Sequence, residues 1–372
     1  MKQLLLNNLK NIYGWKTKRK IVVISVDDYG NVRLDSKKAR DKMDKSGLKI
    51  HSRFDVYDTL ETREDLEGLY EVLTSVTDKN EKHAILTPFA LPCNINFEAM
   101  ASTDYQNYIY ELLPETYKKL SSKDPLAYDG TWNLWNEGIK KGLMKPQFHG
   151  REHFNLKIFN EKLKNRDRDL LIALKNRSNI GLPYTTFKNL KYTAAFGFSE
   201  ISELASLKEI AIDGVARFRE IFSYGPSHFM APTASVHDIV ISALKPYGII
   251  GYDSGIIHKE HQGDEKYLRS FNFTGKKNQS NQLVVVRNVI FEPSSESSDH
   301  INKAINQISA AFYWNKPAII SSHRVNYCGH LDEKNRKIGL GQLRILLKEI
   351  VNRWPDVEFM GVDELDALIL DL

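Results

Sequence analysis

Short apolar runs alternate along this chain with longer segments in which apolar residues recur every three or four positions. The runs "KIVVISV", "HAILTPFA", "KPQFHG", "HFMAPTA", "YGIIGY", "AIISSH" and "VEFMGV" read as strands, several of them ending on a polar or ionisable residue. Between them, "DLEGLYEVLTSVT", "FNEKLKNRDRDLLIALKNR", "ISELASLKEIAIDGVARFREIF", "INKAINQISAAFYWN" and "GQLRILLKEIVNRW" carry helical periodicity. Strands that alternate with helices predict an α/β fold with a largely parallel sheet. Two segments depart from this rhythm. "YLRSFNF" and "LVVVRNVIF", joined by the polar "TGKKNQSN", predict an antiparallel hairpin added to the parallel framework. The aromatic-rich stretch near 97–145 predicts an insertion of helices. With no repeat or evident linker, residues 21–372 are expected to form a single domain behind a basic segment at 1–20.

Composition narrows the class. The chain has 372 residues, 42% hydrophobic and 27% charged, enough for a large core and too apolar for disorder. Its net charge of +5, from 52 basic and 47 acidic residues, is far from a nucleic-acid footprint. Cys93 and Cys328 lie far apart with no CxxC spacing, which indicates neither a disulfide framework nor a thiolate metal site. The N-terminus shows three consecutive leucines where a secretory signal needs roughly 7 to 15 apolar residues, and no run approaches the roughly 20 of a membrane span. A cytoplasmic protein is the expectation. Leu5, Leu9 and Ile12 recur at helical spacing among lysines, so weak contact with a membrane surface is a second reading of residues 1–20 beside simple packing against the first strand.

The candidate chemistry sits at strand ends. "ISVDDYG" stops an apolar run on two adjacent carboxylates, Asp27 and Asp28, whose repulsion asks for a positive partner. In "FHGREHFN", His149 and His153 stand four positions apart, on one helical face or in one tight loop, and His323 closes "AIISSH". Residues at the carboxyl ends of parallel strands converge in space, because ligands bind at that edge. One carboxylate with two imidazoles suits zinc or another borderline divalent cation and leaves positions open for water and substrate. Each piece alone has an ordinary structural explanation, a turn for the aspartates and a packed histidine for the others. Their order along the chain is what raises them together.

That order, DD, then HxxxH, then an apolar segment with a proline, then a strand ending in histidine, resembles the NodB-type polysaccharide deacetylases of carbohydrate esterase family four. "SVDDYG" stands where the family has TFDD, "HGREH" where it has HxxxH and "ISSH" where it has LxxH, in order over about residues 20 to 365. The resemblance implies a distorted (β/α) barrel that removes an acetyl group from an N- or O-acetylated sugar by means of metal-activated water. It implies Asp27 as base, Asp28, His149 and His153 as ligands of a divalent metal, zinc foremost, and His323 as general acid. "VDDYG" also resembles the DDFG of YdjC-like oligosaccharide deacetylases, which rank second because they lack this HxxxH.

Two departures matter. Where the family's RxPxG has an arginine on the catalytic aspartate, "FMAPTAS" has Met230. The fourth motif is met only by "GYDSG", with Asp253 expected to orient His323. The missing arginine keeps open a catalytically impaired relative that binds metal and glycan without turnover. Arg287 lies inside the otherwise apolar "LVVVRNVIF", where alternation sets it on one face with Val285, Val289 and Phe291. A charge there is costly unless paired. Arg287 is therefore expected to reach Asp27 and tether it, with Arg151 and Arg324 as competitors. Phe97, Trp132 and Trp135 are candidates for stacking on an acetylated saccharide, ahead of which stands ordinary packing of the inserted helices.

Overall fold

The computed structural model describes residues 2–182, 185–187, 190–263, 266–295 and 299–372. Thirteen strands occur among them: β1 (Lys20–Tyr29), β2 (Leu86–Ala90), β3 (Cys93–Ile95), β4 (Tyr110–Leu112), β5 (Gln147–Phe148), β6 (His228–Phe229), β7 (Gly251–Asp253), β8 (Ile257–His261), β9 (Tyr267–Phe271), β10 (Leu283–Val285), β11 (Val289–Ile290), β12 (Ala318–His323) and β13 (Val357–Met360). Nine of them form one sheet in the order β10-β7-β6-β5-β2-β1-β12-β11, with β13 beside the start of β1. Every pairing in it is parallel.

The sheet follows from burial. β1 is buried along nearly its whole length, which requires cover on both faces: on the inner one Ile21 and Val23 pack with Phe89, Leu283, Val285, Ile319, Val362 and Leu365, and on the outer one helices supply it. Those at Leu204–Phe222, His300–Tyr313 and Glu333–Arg353 each turn a buried stripe inward. The curled sheet is an open barrel whose end strands, β10 and β11, are consecutive in the chain. Only Val286, Arg287 and Asn288 separate them. This segment crosses the gap between the two ends of the sheet. Asn288 fastens it there, accepting from the Ile319 amide at 2.8 Å and donating to the Pro317 carbonyl at 2.9 Å.

An added hairpin is present, but its partners differ from the expected ones. β9 pairs antiparallel with β8, not with "LVVVRNVIF". The reason is burial: β9 is exposed along most of its length, whereas β10 is wholly buried and lies parallel to β7. One strand cannot serve both environments, and only an isolated bridge, Lys277 to Leu283, marks the expected turn.

Residues 97–145 carry helices at Phe97–Ser102, Leu113–Lys123, Pro125–Tyr128 and Thr131–Lys140. Their aromatics belong to the core. Trp135 is fully buried and donates to the Tyr117 hydroxyl at 3.0 Å, which donates in turn to Glu61 at 2.9 Å. Phe97 is buried, and Trp132 packs on the rings of Tyr117 and Phe222. None of the three lines the central cavity, so their stacking role is withdrawn. The helix Lys2–Leu9 rides on the body through Asn8, which accepts from the Trp314 indole at 2.9 Å, and leaves Leu5, Leu6 and Leu9 exposed. Among the described residues no helix is long and apolar enough to cross a membrane.

Candidate active site

The carboxyl ends of the central strands open into a cavity of about 680 Å³. Asp27, Asp28, His149, His153, Asp253, Arg287 and His323 all line it. Parallel register explains part of this convergence, since Asp27 of β1 is the direct partner of His323 of β12. It does not explain how two successive residues of one strand face the same space, because strand side chains alternate. A local irregularity does. The β1–β2 register shifts between Val26 and Tyr29, and Asp28 takes φ 76. This left-handed conformation is uncommon outside glycine and least costly for asparagine and aspartate. The bulge turns Asp28 to the side of Asp27, at a backbone cost of the kind that collects at functional sites.

His149 follows β5 directly. Gly150, at φ 115, then turns the chain in a conformation that side chains rarely adopt. His149 and His153 thus belong to a loop, their ring centroids 5.3 Å apart, which ends where Asn155 caps the helix Leu156–Lys164. Both Nε2 atoms point at Asp28 Oδ1, at 3.3 Å from His149 and 2.8 Å from His153. His149 Nδ1 is engaged by the Met230 carbonyl at 2.7 Å, which leaves Nε2 as the free donor atom for a cation. One ligand atom from each of Asp28, His149 and His153 falls within 4.8 Å of the others. Burial alone would raise the Asp28 carboxyl, but the facing imidazoles of His153 and His149 hold it well below the ordinary carboxylate range. An anion and two imidazole nitrogens converging on one point fit a borderline divalent cation.

Arg287 reaches Asp27 with both arms. Nη1 donates to Oδ2 and Nη2 to Oδ1, each at 2.8 Å, while Nε and Nη2 donate to Asp253 Oδ2 at 3.0 and 2.8 Å. Its guanidinium also lies 4.9 Å from the Phe89 ring centroid. Burial pulls the guanidinium toward neutrality, but Asp253 and Asp27 together keep it firmly protonated. The chain continues inward: His228 Nε2 lies 3.7 Å from Asp253, a charge contact, and its Nδ1 meets Asp366 at 2.7 Å. Arg324 and Arg151 are engaged elsewhere, Arg324 buried on Asp58 and Glu61, Arg151 on Glu152 and Asp213.

Asp253 does not orient His323, contrary to expectation; it is committed to Arg287. The partner of His323 Nδ1 is Glu292, at 2.7 Å. Glu292 is in turn held by Arg53 at 2.5 Å and Asn326 at 2.8 Å. His323 Nε2 stands 3.9 Å from Asp27 Oδ2. Burial lowers His323, but the hydrogen bond and charge of Glu292, with Asp28 and Asp27 behind it, raise it to about 9. Phe54 and His323 lie nearly perpendicular, their ring centroids 5.3 Å apart, and the guanidinium of Arg53 lies 4.7 Å from the Phe54 ring centroid. Glu292, His228, Asp366 and Phe54 were not singled out from sequence. Glu292 alone offered a signal, an acid ending an apolar run as Asp27 does.

No protein-family model matches this chain, and no curated protein matches it in sequence. Among solved structures, it is similar to a protein assigned as a polysaccharide deacetylase from Mycobacterium smegmatis, with 11% identity over 96% of this chain and 93% of that one, TM-score 0.44. It is also similar to a family 4 acetyl xylan esterase from Clostridium thermocellum in complex with a cobalt ion, with 9% identity over 94% and 91%, TM-score 0.38. A third similarity is to the 4-alpha-glucanotransferase of Thermococcus litoralis, with 10% identity over 93% of this chain and 40% of that one, TM-score 0.46.

Proposed function

We propose that this chain is a metal-dependent hydrolase that removes an acetyl group from an N- or O-acetylated saccharide. The observation that carries the reading is the meeting, in one cavity, of a three-residue cation cluster with an aspartate and a histidine outside it, 3.9 Å apart. Asp28, His149 and His153 would hold the cation, for which two imidazoles and a carboxylate favour zinc. When bound, it supplies polarisation of the acetyl carbonyl and a lowered pKa for water.

The chain's own residues supply the proton movements. Asp27, oriented by both arms of Arg287, accepts a proton from the water that attacks the acetyl carbon. His323 gives its proton to the departing amine or alkoxide as the C–N or C–O bond breaks. The sum is acetate and the free saccharide. Glu292 keeps the acid protonated near neutral pH and fixes the ring so that Nε2 faces the cavity. A binding-only relative was kept open because Met230 replaces the family's arginine. Arg287 makes the corresponding contact from another part of the barrel, which favours the catalytic reading.

Acetate release from a panel of N- and O-acetylated saccharides, with metal analysis of the same preparation, tests this. Stoichiometric divalent metal and metal-dependent release are expected. A metal-loaded protein that frees no acetate from any member of the panel sinks the proposal.

A further inference from the structure

A second cavity, of about 250 Å³, adjoins the first. Thr233 lines both, so the turn Pro232–Ala234 is the wall between them. That turn holds two successive non-glycine residues in the left-handed region, Thr233 at φ 60 and Ala234 at φ 54. Strain of this kind persists only where the surroundings impose it. Beyond the turn the wall is aromatic. His261 packs between Phe198, ring centroids 4.7 Å apart, and Tyr267, at 5.1 Å, each ring tilted to its own by about 50°, and all three line the second cavity with Lys191 and Lys259.

The hairpin supplies the charge. Its register sets Ile257 opposite Phe271, Lys259 opposite Arg269 and His261 opposite Tyr267, so these six share one face. Lys259 directly across from Arg269 is a like-charge pair, unfavourable in an antiparallel ribbon unless an anion lies over it. Glu260 cannot serve: it points to the other face, where it meets His237 and Gln262. Among the described residues no carboxylate pairs with Lys191, Lys259 or Arg269.

We propose that the second cavity is a subsite for an anionic saccharide unit, its ring against Tyr267, His261 and Phe198 and its carboxylate or phosphate on Lys191 and Lys259. The inference rests on the saccharide reading of the first cavity and extends it: the substrate is an acidic glycan, bound so that its acetylated unit lies in the cavity of Asp27 and His323 and a charged neighbour lies across Thr233. Neutral sugars would leave the cations unmatched, which is the basis of selectivity.

The test uses the whole chain and ligands with nothing to hydrolyse, so that binding is read apart from turnover. Calorimetric titration compares tetragalacturonate, mannose 6-phosphate and neutral cellotetraose at low salt. At least one anionic ligand is expected to bind about ten-fold more tightly than the neutral one, and which anion wins separates carboxylate from phosphate. Lys191→Gln/Lys259→Gln should abolish the preference, and Lys259→Glu, at an exposed hairpin position, should reverse it. Equal affinity for charged and neutral ligands, or a preference that survives both variants, overturns the subsite. A chain that binds tetragalacturonate through these lysines but frees acetate from nothing would refute deacetylation and leave the subsite standing.

Discussion

Asp27 and His323 face each other across one strand pairing, yet they are held in opposite ways. The Asp27 side chain is 6% exposed and is the outer end of a buried series, Asp27, Arg287, Asp253, His228, Asp366, that runs back into the core. The His323 side chain is 33% exposed and is held from the rim by Glu292, which Arg53 and Asn326 hold in turn. A proton acceptor acting on a small attacking water gains from a fixed orientation, because misplacement forfeits proximity. A donor that serves a departing saccharide must stand where the saccharide can leave. The difference teaches that one site divides rigidity and access between two neighbouring strands.

The largest effect should come from the residues between these two. Asp28→Ala, His149→Ala and His153→Ala are each expected to lose bound metal and reduce turnover to background, whereas Asp27→Asn loses turnover and keeps the metal. Metal analysis beside acetate release separates the two outcomes, and full occupancy in all three alanine variants would remove the ligand assignment. Next comes the rigid side. Arg287→Met leaves Asp27 and Asp253 buried without their shared cation, a change that costs about 3–5 kcal/mol of stability. Arg287→Lys, which keeps the charge but not the fork, should recover much of the unfolding midpoint while kcat stays low. Equal recovery of both would show that Arg287 acts through charge alone.

These variants probe the part of the site that the sequence made legible. Asp27, Asp28, His149 and His323 end apolar runs, with His153 four residues beyond His149, and a parallel sheet gathers such ends whatever its strand order. Arg287 was legible for a related reason: a charge alternating with valines on a buried strand must find a partner. What stayed hidden depends on strand order. Asp253 and Glu292 are both acids near the end of an apolar segment, and local pattern does not say which meets His323. The sheet decides, because β11 adjoins β12 and brings Glu292 beside it, while β7 lies next to the opposite end strand, β10, and delivers Asp253 to Arg287. The hairpin was misjudged because "LVVVRNVIF" looks like one strand when it is two, β10 and β11, at opposite ends of the sheet. The bulge at Asp28 had no local signal, since aspartate tolerates the left-handed conformation but adopts it only occasionally.

The buried series predicts a pH dependence of stability. Burial lowers His228, but the carboxylates of Asp366 and Asp253 raise it to about 9. A histidine raised on folding contributes in full below its ordinary value near 6.5, and that contribution is lost as pH climbs through about 9. Unfolding free energies from urea titrations between pH 6 and pH 10 should fall by roughly 3 kcal/mol more for the native chain than for His228→Asn. Parallel curves would mean that His228 is neutral in the fold.

The smallest effect should lie at the rim, and it tests whether access and acidity are joined there. Glu292→Gln can still accept from His323 Nδ1, so the ring keeps its orientation while losing the charge that lifts it. His323 should then drop from about 9 toward its ordinary 6.5. The general acid is needed protonated, so activity is lost as pH rises through that value. The alkaline limb of kcat/KM is expected near pH 9 in the native chain and displaced to lower pH in the variant, with a loss of up to about four-fold at pH 7. Because Glu292 is what lifts His323, the same linkage should make the variant less stable near neutral pH, by about 2 kcal/mol. A limb that stays near pH 9 in Glu292→Gln would assign it to some group other than His323, and would leave the rim as a scaffold with no part in setting the acid.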